Sequence, residues 1–96
     1  MPTYLSLMRW TKEGVEKIKE SPARLDAAKK SFAKDGVKIV NFYLVTGSHD
    51  MVIISEAPND EVMAKAMLST MSKGGVTTQT SRAFTEEEYR KIVKSL

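Results

Sequence analysis

The residues best suited to acid–base chemistry stand together in one short segment, VTGSHDMVII, at positions 45–54. It holds the chain's only histidine, His49, followed directly by Asp50. Histidine titrates near neutral pH and can act as a general base when another group orients its ring. Neighbours in an extended strand point to opposite faces, so Asp50 can orient His49 only if the backbone turns between them. The competing interpretation is a simple turn, in which Gly47 has a positive φ angle and Asp50 accepts backbone amides.

Three further residues are candidates for ligand contact. Trp10 and Tyr43 offer aromatic surfaces for stacking, although such residues more often pack in a core or a dimer interface. Arg82 stands in a strand rich in threonine, and an arginine that faces a cleft can bind a carboxylate through two hydrogen bonds. Its alternative role is an ion pair with a nearby acid. We therefore predict a ligand site built from Trp10, Tyr43, His49, Asp50 and Arg82.

The composition removes several classes of function. The chain has no cysteine, which excludes disulfides, thiolate nucleophiles and cysteine–zinc sites. A metal site would need several carboxylates beside the one histidine, and the sequence has no such cluster. Neither a phosphate-binding glycine loop nor a nucleophile elbow is present. We therefore predict no metal and no cofactor.

The charge pattern bears on partners and location. The 15 basic and 12 acidic residues give a net charge of +3 and are interspersed, which does not favour nucleic-acid binding. The apolar runs are far shorter than the ~20 residues that span a bilayer. The N-terminal segment MPTYLSLMRW lacks the order of a signal peptide, so we expect a cytoplasmic protein that binds no membrane.

The hydrophobic periodicity predicts one domain over residues 1–96 with the order β-α-β-β-α-β-α. Strands are expected at Thr3–Trp10, Val37–Val45, Met51–Ala57 and Val76–Phe84. Helices are expected at Thr11–Glu20 and Pro22–Lys34 with a bend at Ser21, from Pro58 to the Gly74-Gly75 pair, and after a capping box of Thr85 and Glu88. This order is typical of an α+β, ferredoxin-like fold with a four-stranded antiparallel sheet and an extra C-terminal helix.

This topology indicates where the candidate residues lie. The loop between the second and third strands, the end of the first strand and the Gly74-Gly75 loop should share one end of the sheet. We therefore expect His49 and Asp50 to lie near Trp10. A methionine stripe at positions 63, 67 and 71 is expected to face the core.

The strands are apolar on both faces. Leu5 and Leu7 alternate with Tyr4 and Met8, and the third strand is apolar at every position from 51 to 54. The helices can cover only one face, and a bare apolar sheet is unusual on a soluble monomer. We therefore predict a homodimer, or a higher homo-oligomer, that packs through the other face.

With these elements placed, the chain resembles the GYD-domain family of small proteins along nearly its whole length. The segments that carry the resemblance are RWTKEG, ESPARL, FYLVTGSHD, SEAPND and RAFTEEE. The family is named for a glycine-tyrosine-aspartate signature; this chain keeps Gly47 and Asp50 but has His49 in the usual tyrosine position. The resemblance implies a dimeric α/β-barrel assembly, a type found in ligand-sensing domains and in cofactor-free oxygenases, so the fold does not select a function.

We therefore expect a non-catalytic homodimeric domain that binds a small organic ligand in a cleft between sheet and helices, or that serves as an assembly module. The alternative is a cofactor-independent oxygenase or isomerase with His49 as general base. A protein-binding or regulatory role is the third possibility.

Overall fold

The computed structural model describes residues 1–96 as an α+β domain. The strands are β1 (Thr3–Trp10), β2 (Lys38–Leu44), β3 (Met51–Glu56) and β4 (Val76–Ala83). The helices are α1 (Lys12–Glu16), α2 (Ser21–Lys34), α3 (Asp60–Ser72) and α4 (Glu86–Lys94), with one 3₁₀ turn at Ile18–Glu20. The predicted α+β class and the four-stranded antiparallel sheet are confirmed. None of the helices has the length and hydropathy needed to cross a bilayer.

The sheet has the strand order β2-β3-β1-β4, and every neighbouring pair is antiparallel. β1 pairs with β4 along its full length, from Thr3 opposite Ala83 to Trp10 opposite Val76. The pairing of β2 with β3 shifts register between Ile39 and Asn41, which marks a β-bulge. The end of β1 therefore lies beside the start of β4 and beside the loop that joins β2 to β3.

The segment between β1 and β2 differs from the prediction. α1 ends at Glu16 instead of reaching Glu20, and Gly14 near its middle lowers its helix propensity. Ser21 is the first residue of α2, one position before the predicted start at Pro22, and no side chain caps this helix. Pro22 occupies the first turn of α2, where a missing amide proton costs nothing.

Side-chain caps fix the starts of the other helices. Asn59 accepts a 2.9 Å hydrogen bond from the Val62 amide, so α3 begins at Asp60 and not at Pro58. The predicted capping box of Thr85 and Glu88 is confirmed at the start of α4. At the helix ends, Gly36 and Gly74 adopt positive φ angles of 78° and 86°, a conformation that glycine reaches without strain.

One face of the sheet packs under α2 and α3. Alternate residues of β1 and β3 are buried there, and α3 contributes Met63, Ala66 and Met67 to the same core. Two of the three predicted stripe methionines, Met63 and Met67, are buried, and Met71 is half-buried. A second cluster of Met8, Met51 and Ile53 lies nearer the Trp10 end of the sheet.

The opposite face of the sheet carries no helix. Its centre consists of Leu5 and Leu7 on β1 and of Val52 and Ile54 on β3, all half-buried by their neighbours in the sheet. Tyr43 on β2 extends this apolar area, because it pairs with Val52 and is exposed. We call this surface the open face.

α4 leaves its apolar side uncovered. Tyr89, Ile92, Val93 and Leu96 recur at the spacing of one helical face, and they are 59%, 47%, 47% and 98% exposed. The radius of gyration, 14.3 Å, exceeds the ~12.5 Å expected for a compact domain of this length. α4 is thus an amphipathic helix whose apolar side has no partner in its own chain.

Candidate functional site

A cavity of about 340 Å³ lies between the helix-covered face of the sheet and helices α2 and α3. The floor is formed by the second core cluster, Met8, Met51 and Ile53, together with Phe42 and Ile39 from β2. The upper walls come from Leu25, Ala28 and Phe32 of α2 and from Met67 and Thr70 of α3. The volume falls within the range of small-ligand pockets, and 12 of the 21 lining residues are hydrophobic.

Two fully buried serines interrupt this apolar lining. The Ser6 Oγ atom lies 2.9 Å from Thr80 Oγ1 and 3.9 Å from the Met67 sulfur. The Ser55 hydroxyl has the Met63 sulfur, at 4.0 Å, as its partner. A thioether is a weak acceptor, so the Ser55 hydroxyl retains hydrogen-bonding capacity for a polar group inside the cavity.

The mouth of the cavity is basic. Lys17, Arg24 and Lys73 line it, and no aspartate or glutamate does. Lys17 is partly neutralised because its Nζ atom lies 3.6 Å from Glu13. Arg24 and Lys73 form no ion pair. Arg24 reaches across to the loop before β4, where a Cβ atom at Gly75 would lie only 2.5 Å from its Nη1 atom.

The edge of the mouth is fixed mainly by backbone contacts. The Thr11 amide donates to the Gly75 carbonyl at 3.0 Å, and the Thr11 hydroxyl donates to the Gly74 carbonyl at 2.7 Å. The same hydroxyl accepts from the Gly14 amide at 3.1 Å and so caps α1. A Cβ atom at Gly14 would lie 2.1 Å from the Gly75 oxygen, so only glycine fits this junction.

The expected proximity of Asp50 to Trp10 is present. The Asp50 carboxylate accepts a 3.0 Å hydrogen bond from the Trp10 amide, and the Asp50 amide donates to the Met8 carbonyl at 2.8 Å. Its carbonyl accepts from Val45 at 2.9 Å and closes the hairpin. The Trp10 side chain lines the cavity, whereas Asp50 forms its hydrogen bonds with backbone groups.

His49 lies outside the cavity lining and is half-buried in the hairpin loop. Its Nδ1 atom lies 3.3 Å from the Ser48 hydroxyl, and no carboxylate is hydrogen-bonded to the ring. The turn interpretation assigned Gly47 a positive φ angle, and this detail is wrong, because only Gly36 and Gly74 have one. The turn closes instead through the Asp50 backbone bonds.

The other two predicted ligand residues lie elsewhere. Tyr43 is exposed on the open face, on the side of the sheet away from the cavity. Arg82 lies at the far end of β4, opposite Tyr4, and its Nη1 atom donates to the Thr3 carbonyl at 3.2 Å and to that of Ala83. Its guanidinium stacks 4.5 Å above the Phe84 ring. The five predicted residues therefore do not converge on one site, and a ligand role for them stays a prediction.

Arg82 belongs instead to a polar cluster around Tyr4. The buried Tyr4 hydroxyl donates to the Asp60 carboxylate, and Arg82 lies 5.8 Å from the Tyr4 ring centre. Burial raises the pKa of Tyr4 above its ordinary value of 10.0, the bond to Asp60 and its charge raise it further, and Arg82 opposes them. Arg82 also lies 3.9 Å from Glu88, whose pKa is lowered mainly by its bond to the Thr85 backbone.

The polar residues of the cavity were not among the predicted ligand residues. Ser6 and Ser55 each interrupt an apolar strand on the side facing the helices, and that alternation was a usable signal. Arg24 and Lys73 gave no signal, because each stands in a segment of mixed charge and only the fold brings them together. No group of three or more acidic or histidine side chains is placed to hold a metal ion.

The architecture and the cavity define a small α+β domain with a preformed pocket. The GYD domain model matches residues 4–93, and the chain belongs to this family. The predicted family resemblance is thereby confirmed.

Two proteins of Thermus thermophilus resemble the chain. A curated relative is 36% identical over 84 residues, which cover 86% of this chain and 88% of the relative. Its name is glutamine synthetase and cystathionine beta-lyase binding protein. The crystal structure of TTHA0845 matches with a TM-score of 0.57 and 24% identity, over 88% of this chain and 95% of that chain. The structural match supports the shared fold alone.

Proposed function

We propose that this chain is a non-catalytic, homodimeric binding module whose targets are soluble metabolic enzymes in the cytoplasm. The observation that carries this proposal is the curated relative, which is named for binding two such enzymes and aligns with most of the chain. Glutamine synthetase and cystathionine β-lyase are therefore the first partners to test.

The catalytic alternative gains no support from the geometry. A general base must come within hydrogen-bond reach of the substrate proton, directly or through one water. His49 does not line the cavity and has a serine, not a carboxylate, beside its ring. An oxygenase or isomerase that uses His49 would need a substrate bound outside the cavity.

The homodimer is proposed to form through the open face. The element order and the strand order β2-β3-β1-β4 support a ferredoxin-like assignment, in which two such sheets pack face to face as a dimeric α/β barrel. The apolar centre, with Leu7 and Ile54, would be buried there. Tyr43 would contribute an aromatic anchor at its edge.

The open face alone is small for a stable interface. Four strands spaced by ~4.8 Å give a plan area of about 450 Å², whereas a stable interface buries about 800 Å² per partner. We therefore propose that α4 packs its apolar side onto the second copy. Each copy would then bury the apolar side of its own α4 and the surface that the α4 of the second copy covers. A helix of this length is ~14 Å long and ~10 Å wide, so these two areas add about 280 Å² per copy.

The partner assay uses the immobilised full chain and purified bacterial glutamine synthetase and cystathionine β-lyase, with binding followed by biolayer interferometry. Saturable binding to at least one enzyme, with a Kd of about 10 μM or lower, is expected. Lactate dehydrogenase at the same concentrations serves as the unrelated control. If neither enzyme binds better than this control, the proposal of enzyme partners is wrong.

A small organic ligand is the second candidate function, and the cavity of about 340 Å³ favours it. The two functions are compatible, since a ligand under α2 would leave the open face and α4 free to form the dimer. A ligand selective for the folded state raises the melting temperature, which makes thermal-shift screening the first test.

A further inference from the structure

We infer that the cavity binds an amphipathic anion: an apolar chain or ring that carries one carboxylate, with its apolar body against the methionine floor and its carboxylate at Arg24 and Lys73. This inference deepens the second candidate function, ligand binding in the cavity. It does not depend on the dimer or on the enzyme partners.

The charges that line the cavity are of one sign. The lining contains three cationic residues and no carboxylate, and all three cations come from the helices and the loop above the sheet. Glu13 is the one acid nearby: it lies 3.6 Å from Lys17, and its carboxylate also reaches the loop, where a Cβ atom at Gly74 would lie 3.1 Å from its Oε2 atom. Arg24 and Lys73 therefore leave net positive charge at the mouth, and an anion entering the cavity would neutralise it.

The floor of the cavity contrasts with its basic mouth. Met8, Met51 and Ile53 are buried and apolar, and the methionine side chains adapt to irregular shapes. A wholly polar anion, such as free phosphate, would gain nothing from this floor and would lose its hydration. A neutral hydrocarbon would leave the cationic mouth unused. Only a ligand with both parts matches both regions.

Arg24 is positioned to bind a carboxylate. Its guanidinium lies against the Gly75 backbone, where the absence of a Cβ atom leaves it room. Guanidinium binds carboxylate through two parallel hydrogen bonds, and the neighbouring Lys73 adds a point charge. The Ser55 hydroxyl donates only to a thioether, so it can accept a hydrogen bond deeper in the cavity or turn its proton to a stronger acceptor there.

The test compares three ligands with one tail: octanoate, 1-octanol and octylammonium. Trp10 is the only tryptophan and lines the cavity, so its fluorescence reports binding without a label. Octanoate should bind at least threefold more tightly than octanol, and octylammonium should bind least. The preference should shrink as NaCl is raised, because these charges are solvent-exposed.

Substitutions at Arg24 and Lys73 remove the charges of the mouth while the apolar floor is kept. The double variant Arg24→Met and Lys73→Met should bind octanoate and octanol equally, while Arg24→Lys should keep part of the preference. Lys29→Met, on an exposed residue of α2 outside the lining, is the matched control and should behave as the wild type. Circular dichroism and the melting temperature establish that each variant is folded.

Equal affinity for octanoate and octanol in the wild type, an unchanged preference in the double variant, or no fluorescence change with any of the three ligands would overturn the inference. The enzyme-binding and sedimentation experiments are performed without these ligands. Those experiments can therefore succeed or fail independently of the ligand-binding test.

Discussion

The Asp50 carboxylate accepts a hydrogen bond of 3.0 Å from the main-chain amide of Trp10. This contact, with the 2.8 Å bond from the Asp50 amide to the Met8 carbonyl, ties the β2–β3 hairpin to the end of β1. Asp50 lies in the segment best suited to acid–base chemistry, yet its hydrogen bonds hold the backbone of the hairpin and of β1 together. Its neighbour His49 has no comparable contact.

Asp50→Ala should lower the free energy of unfolding by about 1–2 kcal/mol, because the half-buried Trp10 amide loses its acceptor. Urea denaturation measures this change. His49→Ala is the matched control and should stay within about 0.5 kcal/mol of the wild type. Equal effects of the two substitutions would contradict this structural role of Asp50.

Gly14→Ala should destabilise the fold by about 2–3 kcal/mol, since the new methyl group overlaps the Gly75 carbonyl and the junction must open. Gly47→Ala is the control: a Cβ atom there meets nothing within 4 Å, and the φ angle is not positive. That variant should be as stable as the wild type or up to about 1 kcal/mol more stable, because alanine lowers the conformational entropy of the unfolded chain. Thermal and urea unfolding of both variants check the contrast, which fails if Gly14→Ala is as stable as Gly47→Ala.

The raised pKa of Tyr4 predicts a dependence of stability on alkaline pH. The folded chain keeps the Tyr4 proton at a pH where the unfolded chain, with its value near 10.0, loses it. The stabilisation is therefore complete below pH 10 and is lost as the pH rises through the folded pKa. At pH 8, Tyr4→Phe should cost about 1 kcal/mol for the lost hydrogen bond to Asp60.

Unfolding measured at pH 8 and pH 11 tests this expectation. The stability difference between the wild type and Tyr4→Phe should shrink at the higher pH, whereas the difference for the exposed Tyr89→Phe should not change. A constant difference for Tyr4→Phe would show that its hydroxyl titrates alike in both states.

Leu7→Lys should convert the proposed dimer to a monomer without unfolding it, because the side chain lies on the open face and outside the helix-covered core. Sedimentation equilibrium should give twice the chain mass of 10.7 kDa for the wild type and the single mass for the variant. Ala64→Lys, on the exposed side of α3, should remain dimeric. A monomeric wild type at micromolar concentration would end the dimer proposal.

Ile92→Lys should weaken the same dimer at least tenfold if α4 packs on the second copy. The charge enters the apolar side of α4, which no part of its own chain covers. Lys91→Gln changes the polar side, where Lys91 pairs with Glu87 at 3.5 Å, and should have little effect. Concentration-dependent sedimentation gives both constants; equal values for the two variants would place α4 outside the interface.

Much of the fold could be predicted from the sequence because its signals are local. The T-x-x-E box at Thr85, the alternation in β1 and the glycine after α2 each specify a structure within a few residues. The close approach of Gly14 to Gly75 could not be predicted, because the two residues are 61 positions apart in the chain.

The candidate site was harder to predict for the same reason. Histidine beside aspartate draws attention in a sequence, but the fold uses Asp50 to hold the backbone and leaves His49 outside the cavity. Arg24 and Lys73 belong to different helical segments, and their common position at the mouth exists only in three dimensions. Patterns of residue type reveal chemistry only when the partners are close in the chain.

The junction of Thr11 with Gly74 and Gly75 has a consequence for how such a protein can diverge. Its hydrogen bonds come from main-chain atoms and one hydroxyl, so this edge of the mouth does not depend on the charged side chains beside it. The exposed residues of the mouth, such as Arg24 and Lys73, can therefore be exchanged with little penalty to folding. A domain built this way can acquire a new ligand preference by point substitutions while its architecture stays constant.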